Sequence, residues 1–200
     1  MTRTGGEERR RQLVAEAVHA FGSRGFEGTS LDAVAEAAGV RKQSLLYYFP
    51  TKDDLFAACL GELTARIGAA LENALAGDDS GFARVERIIR SIYRLAEEWP
   101  DFPGFIREAG RHSPKIVQGV AGSLDPLRKR AIGFLERGME SGEFRRQDPV
   151  LLLFTIYTAV VGSLTEAGVL RAVGGRAGGR DALRRREQEL VEFVRAALEP

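Results

Sequence analysis

The sequence predicts an all-α protein: an N-terminal three-helix domain with a helix-turn-helix, followed by a C-terminal helical bundle. Apolar residues recur at three- and four-residue steps along most of the chain, which is the period of an amphipathic helix. Alternating runs rich in Val, Ile and Thr, which would indicate strands, do not occur. We place the N-terminal domain at residues 1–52 and the C-terminal domain at residues 53–200.

Composition narrows the class of protein without identifying it. The 200 residues are 44% hydrophobic and 28% charged, with a net charge of +1, as in an ordinary globular protein. The single cysteine excludes an internal disulfide framework and a Cys-cluster metal site. We see neither a secretory signal nor an apolar run of about 20 residues. The expectation is a cytoplasmic protein without membrane contact.

The first three predicted helices have the spacing of a helix-turn-helix. Helix one runs from about Glu7 to Ser23. In "TSLDAVAEAAGV" we expect Thr29 to cap the second helix, with Asp32 in its first turn and Gly39 after its end. The third helix starts near Arg41 and ends before Pro50, and a small residue such as Ala35 suits the crossing of two short helices.

Further helix signals follow. Thr51 is expected to cap a long helix that ends near Gly77 to Ser80. The remaining predicted helices cover Gly81 to Glu98, Phe105 to His112, a long stretch from Pro114 to Phe144 that can bend at Pro126, one opened by Asp148 with Pro149 next, and Asp181 to Leu198.

The third helix carries the side chains that suggest a function. In a helix-turn-helix the second helix enters the major groove of DNA. Opposite the inward Leu45 and Phe49, the side chains available to read base edges are Arg41, Lys42, Gln43, Ser44 and Tyr47. Phosphate contacts are expected from Tyr48, Lys52, Thr29 and Ser30. Half-buried tyrosines over a bundle, with solvated lysines, are the alternative interpretation.

The stretch "GFEGTSLDAVAEAAGVRKQSLLYYFPTKDDLF" resembles the DNA-binding domain of the TetR family of bacterial transcriptional regulators. The resemblance covers about residues 7 to 60 and implies DNA contacts from Thr29, Ser30, Lys42, Gln43, Ser44, Tyr47, Tyr48 and Lys52. The family often has Ser where Arg41 stands, Gly, Ala or Pro where Gln43 stands, and Tyr where Leu46 stands. These departures bear on the operator sequence.

The rest of the chain resembles the family only in its helical layout, which implies a homodimer. Val150 to Leu164 is apolar almost all round, so it must be buried on several sides. The residues that we assign to the dimer interface are Thr158, Val161, Gly162, Leu183, Leu190 and Val194. The alternative is that these helices form an intramolecular core.

The resemblance also implies an effector pocket between the middle helices. Aromatic residues with a few polar groups would suit a small hydrophobic or aromatic molecule. The candidates are Tyr93, Trp99, Phe102, Phe105, Glu108 and His112, with Phe134, Met139, Phe154 and Tyr157 as further ones. Ordinary core packing is the alternative, and a filled core behind Tyr93 and Phe105 would favour a regulator without a small ligand.

The function that we expect is a ligand-responsive dimeric regulator, a repressor by family expectation, that binds palindromic double-stranded DNA and is released by its effector. The alternatives are a DNA-binding regulator controlled by a protein partner, and a helical binding protein that has lost DNA recognition. An enzyme is not expected, since the chain has two histidines and no P-loop or dinucleotide glycine pattern. No catalytic residue, cofactor or metal site is predicted.

Overall fold

The structure is a computed structural model that describes residues 3–76, 81–112 and 122–200. In these ranges the chain is helical and has no strand, which confirms the predicted all-α fold. The helices are α1 (Arg3–Arg24), α2 (Leu31–Ala37), α3 (Lys42–Tyr48), α4 (Lys52–Leu75), α5 (Gly81–Glu98), α6 (Phe102–His112), α7 (Asp125–Glu140), α8 (Pro149–Thr165), α9 (Ala167–Ala172) and α10 (Arg180–Leu198).

The chain divides into two compact units. The first takes in Met1–Ala65 and Asp101–Gly122, and the second takes in Arg66–Pro100 and Ser123–Pro200. Helix α4 therefore contributes to both units, and α6 belongs to the unit with the helix-turn-helix although it follows α5 in the sequence. The predicted functional boundary between residues 52 and 53 stays a prediction.

Two predicted helix caps are confirmed. The Thr51 hydroxyl accepts a hydrogen bond from the backbone N–H of Asp54 at 3.1 Å, and the Asp54 carboxylate accepts one from the backbone N–H of Thr51 at 3.0 Å. This reciprocal pair satisfies two backbone donors at the start of α4. Asp148 caps α8 by accepting from the backbone N–H groups of Val150 and Leu151.

The predicted cap of α2 is wrong. Ser30, not Thr29, is the N-cap, and its hydroxyl accepts a hydrogen bond from the backbone N–H of Ala33 at 3.1 Å. Thr29 is buried and donates its hydroxyl to the carbonyl oxygens of Ala20 and Gly25. Thr29 therefore holds the end of α1 to the turn before α2.

Several predicted helix boundaries also shift. α1 begins at Arg3 rather than near Glu7, and α6 begins at Phe102 rather than Phe105. Pro126 lies in the first turn of α7, where backbone N–H groups have no partner within the helix, so the missing N–H of proline costs nothing there. Pro126 therefore marks the start of this helix rather than a bend in a longer one. The part of that predicted long helix over residues 114–121 and the predicted break at 77–80 lie outside the described residues.

The first unit has an aromatic core built around α1. The Phe21 and Phe56 ring centroids lie 5.0 Å apart in an edge-to-face arrangement, and Phe56 meets Phe105 of α6 at 5.2 Å. Phe26, from the turn after α1, stacks on Phe21 at 5.6 Å. Burial raises the pKa of the Cys59 thiol, which lies in the same core.

The second unit packs α5, α8 and α10 against one another, with α7 against α8. Its core is formed by apolar side chains at helical spacing, among them Ile89 and Tyr93 of α5, Val160 and Leu164 of α8, and Leu190, Val191, Val194 and Leu198 of α10. Arg90 joins α5 to α10 through an ion pair with Glu187 at 2.8 Å.

Candidate nucleic-acid interface

Helices α2 and α3 form a tight helix-turn-helix. Gly39 follows α2 with a φ of +65°, a left-handed conformation that glycine adopts without steric cost. The backbone N–H of Val40 then donates to the carbonyl of Ala35 at 2.9 Å, which closes the turn. Ala35 is 2% exposed, as expected for a small residue between two crossing helices.

The two faces of α3 differ sharply in exposure. Leu45 is 0% and Phe49 2% exposed, so the predicted inward face is confirmed. Tyr47 is 82% exposed, although its ring is large and apolar. Arg41, Lys42, Gln43 and Ser44, at the start of α3, are also exposed. The structure therefore brings all five predicted base-reading residues to the solvent side of α3.

The two tyrosines of α3 contact each other. Their ring centroids lie 5.2 Å apart at an interplanar angle of 87°, and Tyr48 is half-buried. The first turns of α1 lie beside this end of α3, because a Cβ on Gly6 would stand 3.7 Å from the Tyr48 hydroxyl oxygen. The Arg10 guanidinium carbon also lies 5.2 Å from the centroid of the Phe49 ring. α1 thus flanks α3, an arrangement that the sequence did not reveal.

Both lysines that are predicted to contact DNA make defined contacts within the protein. The Lys52 ammonium lies 4.2 Å from the centroid of the Phe26 ring, within the range of a cation–π interaction. The Lys42 ammonium forms an ion pair with the Asp32 carboxylate at 2.7 Å. Sequence reasoning missed Asp32 as a partner of Lys42, since the two residues lie ten positions apart on different helices.

The four residues predicted to contact phosphate differ in how exposed their side chains are. Ser30 is exposed at the start of α2, while Thr29 is 3% exposed with its hydroxyl bonded inside the unit. Tyr48 and Lys52 are half-buried: the Tyr48 ring meets the Tyr47 ring edge-on, and the Lys52 ammonium lies over the Phe26 ring. Thr29 therefore supports the turn, whereas Ser30 is available at the surface.

The predicted effector residues do not form one cluster. Phe102, Phe105 and Glu108 are in the first unit, where Phe105 packs on Phe56 and Glu108 accepts a hydrogen bond from the backbone N–H of Phe26. His112 ends α6, and its side chain lies outside the described part of the structure.

The other predicted effector residues are in the second unit, and they differ in burial. Tyr93 is fully buried, and its hydroxyl is hydrogen-bonded to the hydroxyl of Ser163, which also contacts the carbonyl of Val160. Burial raises the pKa of Tyr93, and the Ser163 hydrogen bond and Arg186 oppose this effect. Trp99 and Met139 are buried, and Phe134 packs edge-on against Phe144. Phe154 and Tyr157 are 59% and 58% exposed, so they point away from the core.

The residues predicted for the dimer interface also differ in burial. Leu190 and Val194 are 8% and 1% exposed and pack within the chain's own core. Thr158 is exposed, and Val161, Gly162 and Leu183 are half-buried. The large exposed apolar side chains of α8 and α10 are instead Val150, Leu151, Phe154, Tyr157 and Phe193.

An open groove of about 900 Å³ lies in the second unit. It is bounded by the end of α8, the loop after α9 and the first half of α10. The Arg186 side chain crosses it by donating to the carbonyl oxygens of Ser163 and Ala177.

Among the described residues, no group of His, Cys, Asp and Glu could hold a metal ion. None of the described helices has the length and apolar character of a membrane span.

A helix-turn-helix with an exposed, cationic and aromatic second helix defines a class of DNA-binding proteins. Comparisons with known proteins agree with this class. Residues 13–59 match the family model described as bacterial regulatory proteins, tetR family. The HTH-type transcriptional regulator RutR of Escherichia coli K12 is 29% identical over 168 residues, which is 84% of this chain and 79% of RutR.

Solved structures share the fold over nearly the whole chain. The ketosteroid transcriptional regulator KstR2 of Mycobacterium tuberculosis gives a TM-score of 0.77 at 20% identity, covering 96% of this chain and 95% of that one. A putative transcriptional regulator from Saccharomonospora viridis in complex with choline also gives 0.77, at 18% identity, covering 96% and 98%. Over residues 13–59 the chain matches the TetR family of bacterial transcriptional regulators, and over nearly its whole length it shares the fold of these solved structures.

Proposed function

We propose that this regulator binds palindromic double-stranded DNA as a homodimer through α3 and that an effector controls its release. The observation that carries the DNA part is the exposure of α3. Tyr47 is 82% exposed, while Leu45, two positions earlier, is fully buried. The exposed Tyr47 ring and the exposed Lys42, Gln43 and Ser44 give α3 a surface with both apolar and hydrogen-bonding groups, which suits base edges in the major groove.

The residue types on this face suit the major groove. Arg41 and Lys42 can donate to the O6 and N7 atoms of guanine, and Gln43 can pair with adenine. Ser44 can serve either kind of base, and Tyr47 adds an apolar ring with a hydroxyl at its end. Ser30 and Lys52 flank this set and can contact phosphate oxygens, which fixes the register of the protein on DNA.

The homodimer is supported by the apolar surface of α8. Leu151, Phe154 and Tyr157 are each more than half exposed and recur at three-residue steps, so they lie on one side of the helix. Phe193 of α10 adds a further exposed ring. We assign the dimer contact to these four residues together with the predicted Thr158. A twofold dimer would present two α3 helices about 34 Å apart, matching a palindromic site.

The effector part of the proposal rests on relatives. A protein of the same fold is described as a complex with choline, so the architecture can hold a small molecule. In this chain a small hydrophobic or aromatic effector would bind in the second unit. Such a ligand can change DNA affinity only if it binds the two conformations of the regulator with different affinities.

A second candidate function is a DNA-binding regulator controlled by a protein partner instead of a small molecule. The observation that favours it is the filled core at the predicted pocket. Phe105 packs directly on Phe56, and the Tyr93 hydroxyl is bonded to Ser163. Thermal denaturation against a panel of small hydrophobic molecules separates the candidates, because a ligand of the folded state raises the Tm.

The DNA-binding proposal is tested by in-vitro selection of binding sites from random double-stranded DNA with the full chain. We expect a palindrome whose half-sites lie about one helical turn apart, bound by two chains, as measured by sedimentation of the complex. Lys42→Ala should weaken binding to the selected palindrome. Selection that returns no shared motif would contradict the proposal.

A further inference from the structure

Asp32 and Lys42 form an ion pair that joins the two helices of the helix-turn-helix. The Lys42 Nζ lies 2.7 Å from Oδ2 of Asp32, which is in the first turn of α2, while Lys42 is the first residue of α3. The Asp32 and Lys42 side chains are 66% and 46% exposed, so both carry their charges at the surface. An acid therefore lies within the cationic surface that we assign to DNA.

The ion pair changes what Lys42 can offer to DNA. A lysine ammonium has three donors on a flexible four-carbon chain, and holding it in one place costs side-chain entropy. The carboxylate of Asp32 takes one donor and fixes the position of the ammonium at the start of α3. The other donors remain available to an acceptor that lies at the matching place, such as the O6 and N7 atoms of guanine.

The ion pair carries no net charge, and this lowers the affinity for DNA that lacks the correct sequence. Affinity for such DNA comes from cations that neutralise phosphates and release counterions. A lysine held by a carboxylate contributes little to this attraction, and the carboxylate itself is repelled by phosphate. The pair should therefore weaken non-specific binding more than binding to a site with an acceptor in place.

We propose that Asp32 is a positioning residue for DNA recognition, which holds Lys42 for base contact and lowers the affinity for non-specific DNA. The inference rests on the proposed DNA binding through α3. Asp32 would raise specificity by weakening the binding of DNA that lacks the correct sequence. Because the pair is exposed, the effect is of moderate size: Asp32→Asn should raise the affinity for non-specific DNA by about three- to fivefold.

The experiment compares the selected palindrome with a scrambled duplex of equal length and composition, by fluorescence anisotropy at several salt concentrations. For Asp32→Asn we expect tighter binding of the scrambled duplex, a smaller ratio of specific to non-specific affinity, and a non-specific salt slope steeper by about 1 per chain. Glu36→Gln is the matched control, because it removes one negative charge from an exposed position on the same helix. It should change the affinity for both duplexes by the same factor.

A double-mutant cycle completes the test. In a Lys42→Ala background, Asp32→Asn should no longer change the specificity ratio, since the ammonium that it positions is gone. If Asp32→Asn alters both affinities equally, or alters the ratio as much without Lys42 as with it, the inference is overturned. A wild-type protein that does not prefer the palindrome would instead contradict the proposed function, so the two failures are distinguishable.

Discussion

The Glu108 carboxylate accepts a hydrogen bond from the backbone N–H of Phe26 at 2.6 Å, which joins α6 to the turn between α1 and α2. A Cβ on Gly25, whose φ is +76°, would stand 3.4 Å from both carboxylate oxygens, so the acid covers this turn closely. His19 and Asp101 add a second polar link between α1 and the start of α6, with Nδ1 and Oδ1 2.9 Å apart. Helix α6 is thus a structural part of the DNA-binding unit.

Removing the acceptor at Glu108 should loosen this turn. Glu108→Ala leaves the Phe26 N–H without its charged partner, and we expect the free energy of unfolding to fall by about 1.5–3 kcal/mol. Glu108→Gln keeps an amide oxygen in place and should lose less. Denaturant unfolding measures the stability, and hydrogen exchange at the Phe26 amide should be faster in Glu108→Ala. Equal stability and exchange in wild type and Glu108→Ala would contradict this role.

The crossing of α1 and α6 depends on two glycines. A Cβ on Gly104 would lie 2.5 Å from the carbonyl oxygen of Gly22, a backbone atom that cannot move aside cheaply. Gly104→Ala should therefore lower the free energy of unfolding by about 1–3 kcal/mol. Gly110→Ala, on the same helix with nothing within 4 Å, is the control and should be neutral or stabilising by up to about 1 kcal/mol. Urea denaturation compares the two, and equal effects would show that the close approach is absent.

The Tyr93 hydroxyl should lose its proton at a higher pH than an ordinary tyrosine. Burial raises the pKa of Tyr93 above its ordinary value, so the folded state resists ionisation. The stabilisation from the neutral Tyr93 is complete below about pH 10 and is lost as the pH rises through the folded-state pKa. Ultraviolet alkaline titration of the four tyrosines should show a late ionisation that is missing in Tyr93→Phe. A titration curve unchanged by Tyr93→Phe would contradict the buried environment.

The apolar surface of α8 should control oligomeric state. Phe154 is 59% exposed, so Phe154→Arg leaves the core of its own chain intact while placing a charge in the proposed interface. We expect sedimentation to give a dimer for wild type and a monomer for this variant. Val173→Arg, at a 76% exposed position just after α9, should remain dimeric. A monomeric wild type at micromolar concentration would rule out the proposed dimer.

Local chemistry explains what could be predicted from the sequence. The Thr51 and Asp148 caps involve side chains and N–H groups two or three residues apart, so spacing alone indicates them. The inward Leu45 and Phe49 and the outward Tyr47 likewise follow from helical period. Spacing alone does not decide whether Thr29 or Ser30 caps α2. Both residues carry a suitable hydroxyl, and the path of the turn selects Ser30.

Contacts between distant positions explain the rest. Glu108 meets Phe26 across 82 residues, and no periodicity indicates that α6 packs on α1 rather than lining a pocket. In α8 the apolar residues surround the helix, so the sequence carries no signal for which side meets its own chain. The sequence therefore predicts a pocket for Phe154 and Tyr157 and a dimer interface for Leu190 and Val194. The structure instead exposes the first pair and buries the second pair in the core.

The most direct test of the central claim is the affinity of Tyr47→Ala for the selected palindrome, measured by fluorescence anisotropy. Tyr47 is 82% exposed, so its removal should leave the fold and the circular dichroism spectrum unchanged. The control is Val173→Ala, a truncation at a 76% exposed position in the other unit. If α3 reads DNA, Tyr47→Ala should bind about tenfold more weakly or worse, with Val173→Ala unchanged. Wild-type affinity in Tyr47→Ala would contradict the claim that this face of α3 is the DNA-binding surface.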